Sequence, residues 1–455
     1  FGHGTKAVGY NSFAFGSKGV DATGAELNTF TEALGDYSIA FGLGSKASGT
    51  GSFVMGANCI SSGKFATATG FNSTASGPNA TAMGVNNIAS GEVSFAMGSG
   101  NESTGQYAFS FGANNDAIGS ASVALGLNNT AGGAQSIVGG FSNSGAGFSA
   151  FAIGSYNNAQ GDGSIAAGSG NQCIGVTSAA FGSGNTSSGS RSFAIGDGCV
   201  ASATNSVATG YRTTSSGQHS LTVGYQDTTI GTGTIATGYQ TSARGPYSVA
   251  AGYRTIARAY ASFVIGRYNT YIPTTTSWYS TDMLFIAGNG TSTVANDALV
   301  LYKNGNMKID GSFYPNDDGV PTLGLPTNKW NAVYATNNVI QTSDSRMKKE
   351  ITDINYGLNT ILQLHPVSFR WKDFPEQGVR MGLLAQEVQP IVNEIVDIGD
   401  DPAHILGLRY SELIPILIRG MQEQQSLIEK QKEKNEELEK KLEDLELRLE
   451  RLESK

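Results

Sequence analysis

From Gly42 to Gly266 the chain repeats one short phrase of small, apolar and polar positions. Glycine stands at 17 positions with an unbroken period of 14, from Gly42, Gly56 and Gly70 through Gly238, Gly252 and Gly266. A second comb runs half a period away, from Gly35 and Gly49 to Gly245, lapsing only to Ala203 and Ala259. Two residues before a comb position the side chain is small, as in Ala40, Ala47, Ala68, Ala75, Ala96, Ala117, Ala194 and Ala243. Small and variable residues thus alternate with period 2, the pattern of a strand. Each half-repeat reads as a short strand ending at a glycine corner, where the backbone turns with positive φ or approaches another backbone closely. A strict period of this size predicts a solenoid of two strands and two turns per coil. Gly2, Gly9 and Gly16 belong to the same pattern, interrupted by an insertion near residues 17–34. A core lined by alanine is thin and offsets little chain entropy, so three rolls packed together are expected.

The pattern changes twice more. Residues 267–342 lose the period and gather aromatics, among them Trp278, Tyr279, Tyr302, Phe313, Trp330 and Tyr334. Within them Ala298–Tyr302, the turn Asn304-Gly305-Asn306 and Met307-Lys308-Ile309 read as a β-hairpin. After Lys348, Ile351, Ile354, Leu358, Ile361 and Leu362 follow helical spacing. Residues 366–371 read as a strand, and 381–388 as a second strand running into a helix. From 414 a heptad is clear: Ile414, Met421, Ile428, Asn435, Leu442 and Leu449 at a, with Leu417, Gln424, Gln431, Leu438, Leu445 and Leu452 at d. Lys434–Glu439, Lys441–Glu446 and Arg448–Glu453 fall at g and the following e with opposite signs, which suits parallel helices in register, while Asn435 and the two glutamines can fix register and strand number. Four units follow: a roll over 1–266, an aromatic β connector over 267–342, an α+β unit over 343–412 and a parallel trimeric coiled coil over 413–455.

Composition sharpens the boundary at Ser343. Of the net charge of −8, most lies after it, where 113 residues carry 16 Lys/Arg and 22 Asp/Glu; residues 1–270 balance at 10 against 10. No basic stripe is present to hold nucleic acid or an anionic membrane. No apolar run is long enough for a transmembrane helix, so no membrane insertion is expected. Cys59, Cys173 and Cys199 are isolated and odd in number, which predicts small buried side chains rather than disulfides, and no metal or cofactor is expected. The chain begins at Phe1, in mid-repeat and without methionine, which predicts a segment upstream.

The repeats, as in Ser192-Phe193-Ala194-Ile195-Gly196 and Ser122-Val123-Ala124-Leu125-Gly126, resemble the head repeats of trimeric autotransporter adhesins. That resemblance implies a trimeric left-handed parallel β-roll. Leu323-Gly324 and Lys329-Trp330-Asn331-Ala332-Val333-Tyr334 are similar to stretches that precede the processing site of phage tail fibres. Ser343-Asp344-Ser345-Arg346-Met347-Lys348, Leu364-His365-Pro366-Val367, Gly382-Leu383-Leu384-Ala385-Gln386-Glu387-Val388 and Tyr410-Ser411-Glu412-Leu413-Ile414-Pro415 resemble the intramolecular chaperone domain of phage tailspikes and endosialidases, the S74 peptidase family. The resemblance implies trimerisation, chaperoning of the upstream fibre, and autocleavage between Thr342 and Ser343, with Ser343 as nucleophile and Lys348 as base.

A serine hydroxyl needs an adjacent base, and a lysine serves when burial favours its neutral form. Spacing alone better fits a Ser343 that caps a helix and a solvated Lys348; the surrounding motifs turn the reading to catalysis. His365, beside Pro366, reads as structural. Tyr211, Tyr225, Tyr239 and Tyr253 follow four consecutive main glycines and form a ladder, either a stacking surface for sugar rings or a structural support; with Trp278 and Tyr279 they are the candidate receptor-binding residues. The many Asn and Ser read as turn chemistry. The functional expectation is a homotrimeric tail fibre on a virion, binding a host glycan or surface protein, with a bacterial cell-surface adhesin as the alternative. A carbohydrate-cleaving spike needs paired carboxylates, and the acidic residues of the roll are scattered.

Overall fold

The computed structural model describes residues 2–21, 23–316, 323–324, 328, 330, 332–336, 342–399 and 403–454. Lys329 and Asn331 of the tryptophan-bearing stretch lie outside the described residues. The chain forms two compact units, Phe1–Phe313 and Tyr314–Lys455.

In the first unit, from Ile39–Leu43 to Phe263–Arg267, each coil carries a five-residue strand, such as Phe109–Ala113, joined to the next by a two-residue strand, such as Asp116–Ala117. The longer strands pair parallel and in register from coil to coil, Phe109 against Val123 and Gly112 against Gly126. The short ones form an 18-stranded sheet. Between the two lies the core of Ala40, Ala47, Ala124, Ala131 and their repeats, all fully buried. All three cysteines are free and buried in it. Burial pushes the Cys173 thiol up to about 12, which keeps it inert.

The glycines do not sit where alternation alone places them. The main-comb glycines are the fourth residue of each long strand, not its corner. Gly126 has φ 110°, and a Cβ built on it would lie 2.2 Å from the Gly140 carbonyl oxygen one coil on. At Gly133 of the second comb φ is ordinary, yet a Cβ would lie 1.9 Å from Gly147 O. Close stacking, more than turning, demands the glycines. The corners are built mostly by other residues in the left-handed region, such as Asn58, Asn72 and Asn86 after the main comb and Tyr37, Phe65 and Asn79 after the second. Asparagine tolerates that region because its short polar side chain bonds locally.

A second departure from the sequence reading lies beside those corners. In Asn86-Asn87, Asn114-Asn115 and Asn128-Asn129 the first asparagine turns the chain, while the second is buried. Asn87, Asn101, Asn115, Asn129, Asn143, Asn157, Asn171 and Asn185 stack as an internal ladder. The Asn129 amide donates to Asn115 Oδ1 at 3.0 Å, to Leu125 O at 2.8 Å and to Gly140 O at 2.8 Å. Its own Oδ1 accepts the Asn143 backbone N–H at 3.0 Å and side-chain amide at 3.1 Å. Every rung therefore satisfies its neighbours. Asn129→Ala is expected to lower the melting temperature of the roll, because each buried group left unpartnered costs about 1–3 kcal/mol; an unchanged melt would show the ladder to be dispensable.

The insertion near residue 17 is an antiparallel tongue in which Phe13–Val20 pairs with Glu26–Phe30. At the other end Met283–Asn289 pairs parallel with Phe263–Arg267 and so extends the sheet of long strands. Asp297–Tyr302 and Met307–Ile309 then add antiparallel, forming the expected hairpin.

The second unit is small. Val367–Phe369 pairs with Arg380–Gly382, and Val396–Ile398 with Leu406–Leu408. Ala385–Val388 forms a short helix, and Leu413–Glu453 one helix of 41 residues. Val388, Val392, Ile395, Val396, Leu413 and Ile416 make the core. Helical spacing over 351–362 gives a helix only at Leu358–Ile361. A helix this short is marginal alone, and tertiary contacts hold it instead. It packs at Gly420, where a Cβ would lie 2.2 Å from Ile361 Cδ1, and Glu423 accepts the Leu358 N–H at 2.8 Å.

Candidate functional site

Ser343 and Lys348 stand at the two ends of one tight turn. Asp344 caps the 3-10 helix Ser345–Met347 by accepting the Arg346 N–H at 2.9 Å. Arg346 closes back on it, its Nη2 2.6 Å from Asp344 Oδ2 and its Nε 3.1 Å from both carboxylate oxygens. The Arg346 guanidinium, with its N–H, holds the Asp344 carboxyl below the usual range. Lys348 leaves the turn in an extended conformation. Its Nζ donates to Ser343 Oγ at 2.7 Å. The capping role considered for Ser343 belongs to Asp344, which frees the serine hydroxyl for the lysine. The route back is a clamped 3-10 turn, not the start of an α-helix. Thr342, Ser343 and Lys348 are all exposed in the single chain.

The other motif residues hold the unit together. Tyr410 Oη accepts the Leu383 N–H at 2.8 Å, and a Cβ on Gly382 would lie 2.6 Å from that oxygen. A glycine beside the strand end is thus what lets the tyrosine in. His365 is exposed, with Nδ1 3.1 Å from Glu387 Oε2. No hydrogen bond joins it to Ser343 or Lys348 among the described residues. Arg409 ties Asp397, Glu412 and the Glu394 carbonyl together at 3.2, 2.8 and 2.8 Å.

The long helix leaves its heptad seam bare. Ile414, Leu417, Met421, Ile428, Leu438, Leu442, Leu445, Leu449 and Leu452 are 46–71% exposed, and Asn435 is exposed beside them. Within the chain Lys441 pairs with Glu437 at 2.6 Å and Arg448 with Asp444 at 3.0 Å, both i to i+4.

In the roll, Tyr211, Tyr225, Tyr239 and Tyr253 stack with ring centroids 5.0, 4.8 and 4.9 Å apart and planes within 15° of parallel. Arg212 lies over the face of Tyr211, while Tyr268 and Arg254 cover Tyr253. The ring faces are occupied by one another, so the stack offers a ligand its edges and hydroxyls. Trp278 is 53% exposed but lies against Lys303, whose Nζ is 4.7 Å from the indole and 3.4 Å from Asp282. Tyr279 beside it is exposed.

The sequence reading missed the asparagine ladder and the Asp344–Arg346 clamp. The ladder has a signal, an asparagine three residues after eight successive main glycines; the clamp has none beyond the pair itself.

Residues 343–397 match the peptidase S74 family, described as the chaperone of endosialidase. Segments 33–58, 61–87, 146–171, 174–198, 201–226 and 230–255 match the YadA head domain repeat. No curated protein matches the chain. Among the described residues no helix is long and apolar enough to cross a membrane. With the β-solenoid and the small C-terminal unit, these matches support a fibre of the tail-fibre or adhesin kind, with YadA-like head repeats and a C-terminal domain similar to the endosialidase chaperone.

Proposed function

We propose that the chain is a homotrimeric host-attachment fibre whose C-terminal unit drives trimeric folding and then cuts itself off between Thr342 and Ser343. The contact of 2.7 Å between Lys348 Nζ and Ser343 Oγ carries the reading, because it joins a nucleophile and a base at the first residue of the peptidase match. In the step, Lys348 as free amine takes the hydroxyl proton while Oγ attacks the Thr342 carbonyl carbon. The C–N bond then breaks as the Ser343 nitrogen takes the proton, leaving an ester on Oγ. Water hydrolyses that ester, freeing the Thr342 carboxylate and a fragment that starts at Ser343. Attack within one residue has a high effective molarity. Neighbouring chains of the trimer would pack around the turn and exclude water, which favours the free amine that the step uses.

Two bare surfaces support the trimer. One is the seam of the long helix. The other is the outer face of the long strands, where Phe15, Met55, Phe111 and Ile153 are about half exposed in a repeating column. Apolar stripes of this extent mark association. Sedimentation under native conditions, with Ser343→Ala keeping the chain whole, is expected to give the mass of three chains of 47.3 kDa. A single-chain mass would end the proposal.

The chaperone match supports a virion tail fibre, and the YadA match supports the alternative of a bacterial surface adhesin. Sequencing the coding region upstream of Phe1 separates them: a virion-attachment domain supports the first, a secretion signal the second.

A further inference from the structure

The ladder of buried polar rungs, three residues after each main glycine, contains one acid. Beyond Asn185 the rungs are Cys199, Thr213, Asp227, Thr241 and Thr255. Asp227 is fully buried. Its Oδ1 is well held, accepting the Thr241 N–H at 2.6 Å and the Thr241 hydroxyl at 2.8 Å, in the way each asparagine Oδ1 accepts from the next rung. Its Oδ2 has no hydrogen-bond partner among the described residues.

The position of Oδ2 is informative. In the asparagine rungs the amide nitrogen faces the main glycine three residues back; a Cβ on Gly112 would lie 3.0 Å from Asn115 Nδ2. A Cβ on Gly224 would lie 2.4 Å from Asp227 Oδ2, so this oxygen occupies the seat of the nitrogen. That seat is one for a donor. Asn115 Nδ2 gives its hydrogens there to Phe111 O at 3.1 Å, Gly126 O at 2.7 Å and Asn101 Oδ1 at 3.0 Å. The same offsets from Asp227 lead to Val223 O, Gly238 O and Thr213 Oγ1. Thr213 has no proton to offer, since its hydroxyl donates to Cys199 Sγ at 3.2 Å.

We propose that Asp227 is a proton-binding site in the core of the roll: a neutral acid at neutral pH, whose Oδ2–H replaces the amide hydrogens of the asparagine rungs and donates to the ladder carbonyls of Val223 and Gly238. An ionised carboxylate there would set negative charge against carbonyl oxygens with no cation beside it. The charged and titratable groups on the packed coils do not reach it. Tyr211, Tyr225 and Tyr239 form the outer stack, with Arg212 and Arg254 over its ends. His219 and Arg244 bond to Asn205 and Ser242 instead. Burial pushes the Asp227 carboxyl up from 3.8, and the opposing pull of the Thr241, Gly238 and Tyr225 N–H groups does not cancel it.

Linkage fixes the sign. The folded chain holds a proton that the unfolded chain releases, so this contribution is full below the ordinary carboxylate range and falls as pH rises above it. Asp227→Asn restores the rung found at eight other coils without needing a proton. In the full-length chain, infrared difference spectra at neutral pH, wild type minus Asp227→Asn, are expected to show the carbonyl stretch of a neutral carboxylic acid. Loss of ionised-carboxylate bands instead would overturn the proposal. Asp227→Asn is also expected to melt above wild type at neutral pH, with the gap closing as pH falls toward the ordinary carboxylate range. A gap independent of pH, a variant no more stable than wild type, or a variant that fails to fold would each overturn it too.

Discussion

Ser343→Ala is expected to run as one full-length band on a denaturing gel, where the wild-type chain gives two. The larger product should end at Thr342 and the smaller should start at Ser343. In the proposed step the ester forms on the serine Oγ, so loss of that oxygen removes the reaction rather than slowing it. Lys348→Ala keeps the nucleophile but loses the base 2.7 Å away, and slowing of about 10²–10⁴-fold is expected. Both variants should still fold and trimerise, since neither side chain belongs to the core. Asp344→Ala unties the cap and the Arg346 fork that bend the chain between them, so cleavage should slow without stopping. His365→Ala should cut normally, because the histidine bonds to Glu387 and not to the pair. N-terminal sequencing of the small fragment decides the matter. A fragment that starts elsewhere, or normal cutting in Ser343→Ala, would falsify the mechanism.

The roll was legible because its constraint is local and repeated. An extra Cβ at Gly126 or Gly133 strikes the next coil, so the period of 14 is written in the glycines themselves. What alternation does not carry is the direction of the force. It puts the main glycine at a corner, whereas in-register stacking places it inside a strand and leaves the corner to Asn128. Asparagine favours turns and also fits a buried ladder, so its type alone cannot separate Asn128 from Asn129. The period separates them once burial is known. In the second unit the strands at Val367 and Arg380, the short helix at Ala385 and the long helix follow from the sequence pattern, whereas the pair Val396–Ile398 and Leu406–Leu408 does not. The segment at Ile351 does not, because Gly420 and Glu423, some 60 residues on, decide where that helix forms. The dyad was legible as spacing and motif. The clamp that closes it rests on Asp344, a residue whose type fits equally well on any exposed turn.

Residues 1–342 expressed without the C-terminal unit are expected to give aggregated product and little protease-resistant trimer. In this roll each coil pairs with the next in parallel, and pairs only in register, since a slip of one residue turns the alanine face outward. Three such chains must also find a common register along their apolar outer faces. Assembly of this kind is non-local, slow and exposed to edge pairing while it proceeds. The long helix offers the opposite: local contacts, a seam of nine apolar positions and opposite charges at g and e that favour one parallel register. Helices that associate first would hold three chains together at one end and leave the rolls to wind from there. The full-length Leu438→Glu, Leu445→Glu chain tests the same step, because it keeps every residue of the roll and breaks the clamp alone. It should behave like the truncated chain and should also fail to cut, since no neighbouring chain then shields Lys348. Soluble, protease-resistant trimer at ordinary yield from residues 1–342 would show that the roll assembles without help, and the chaperone reading would fall.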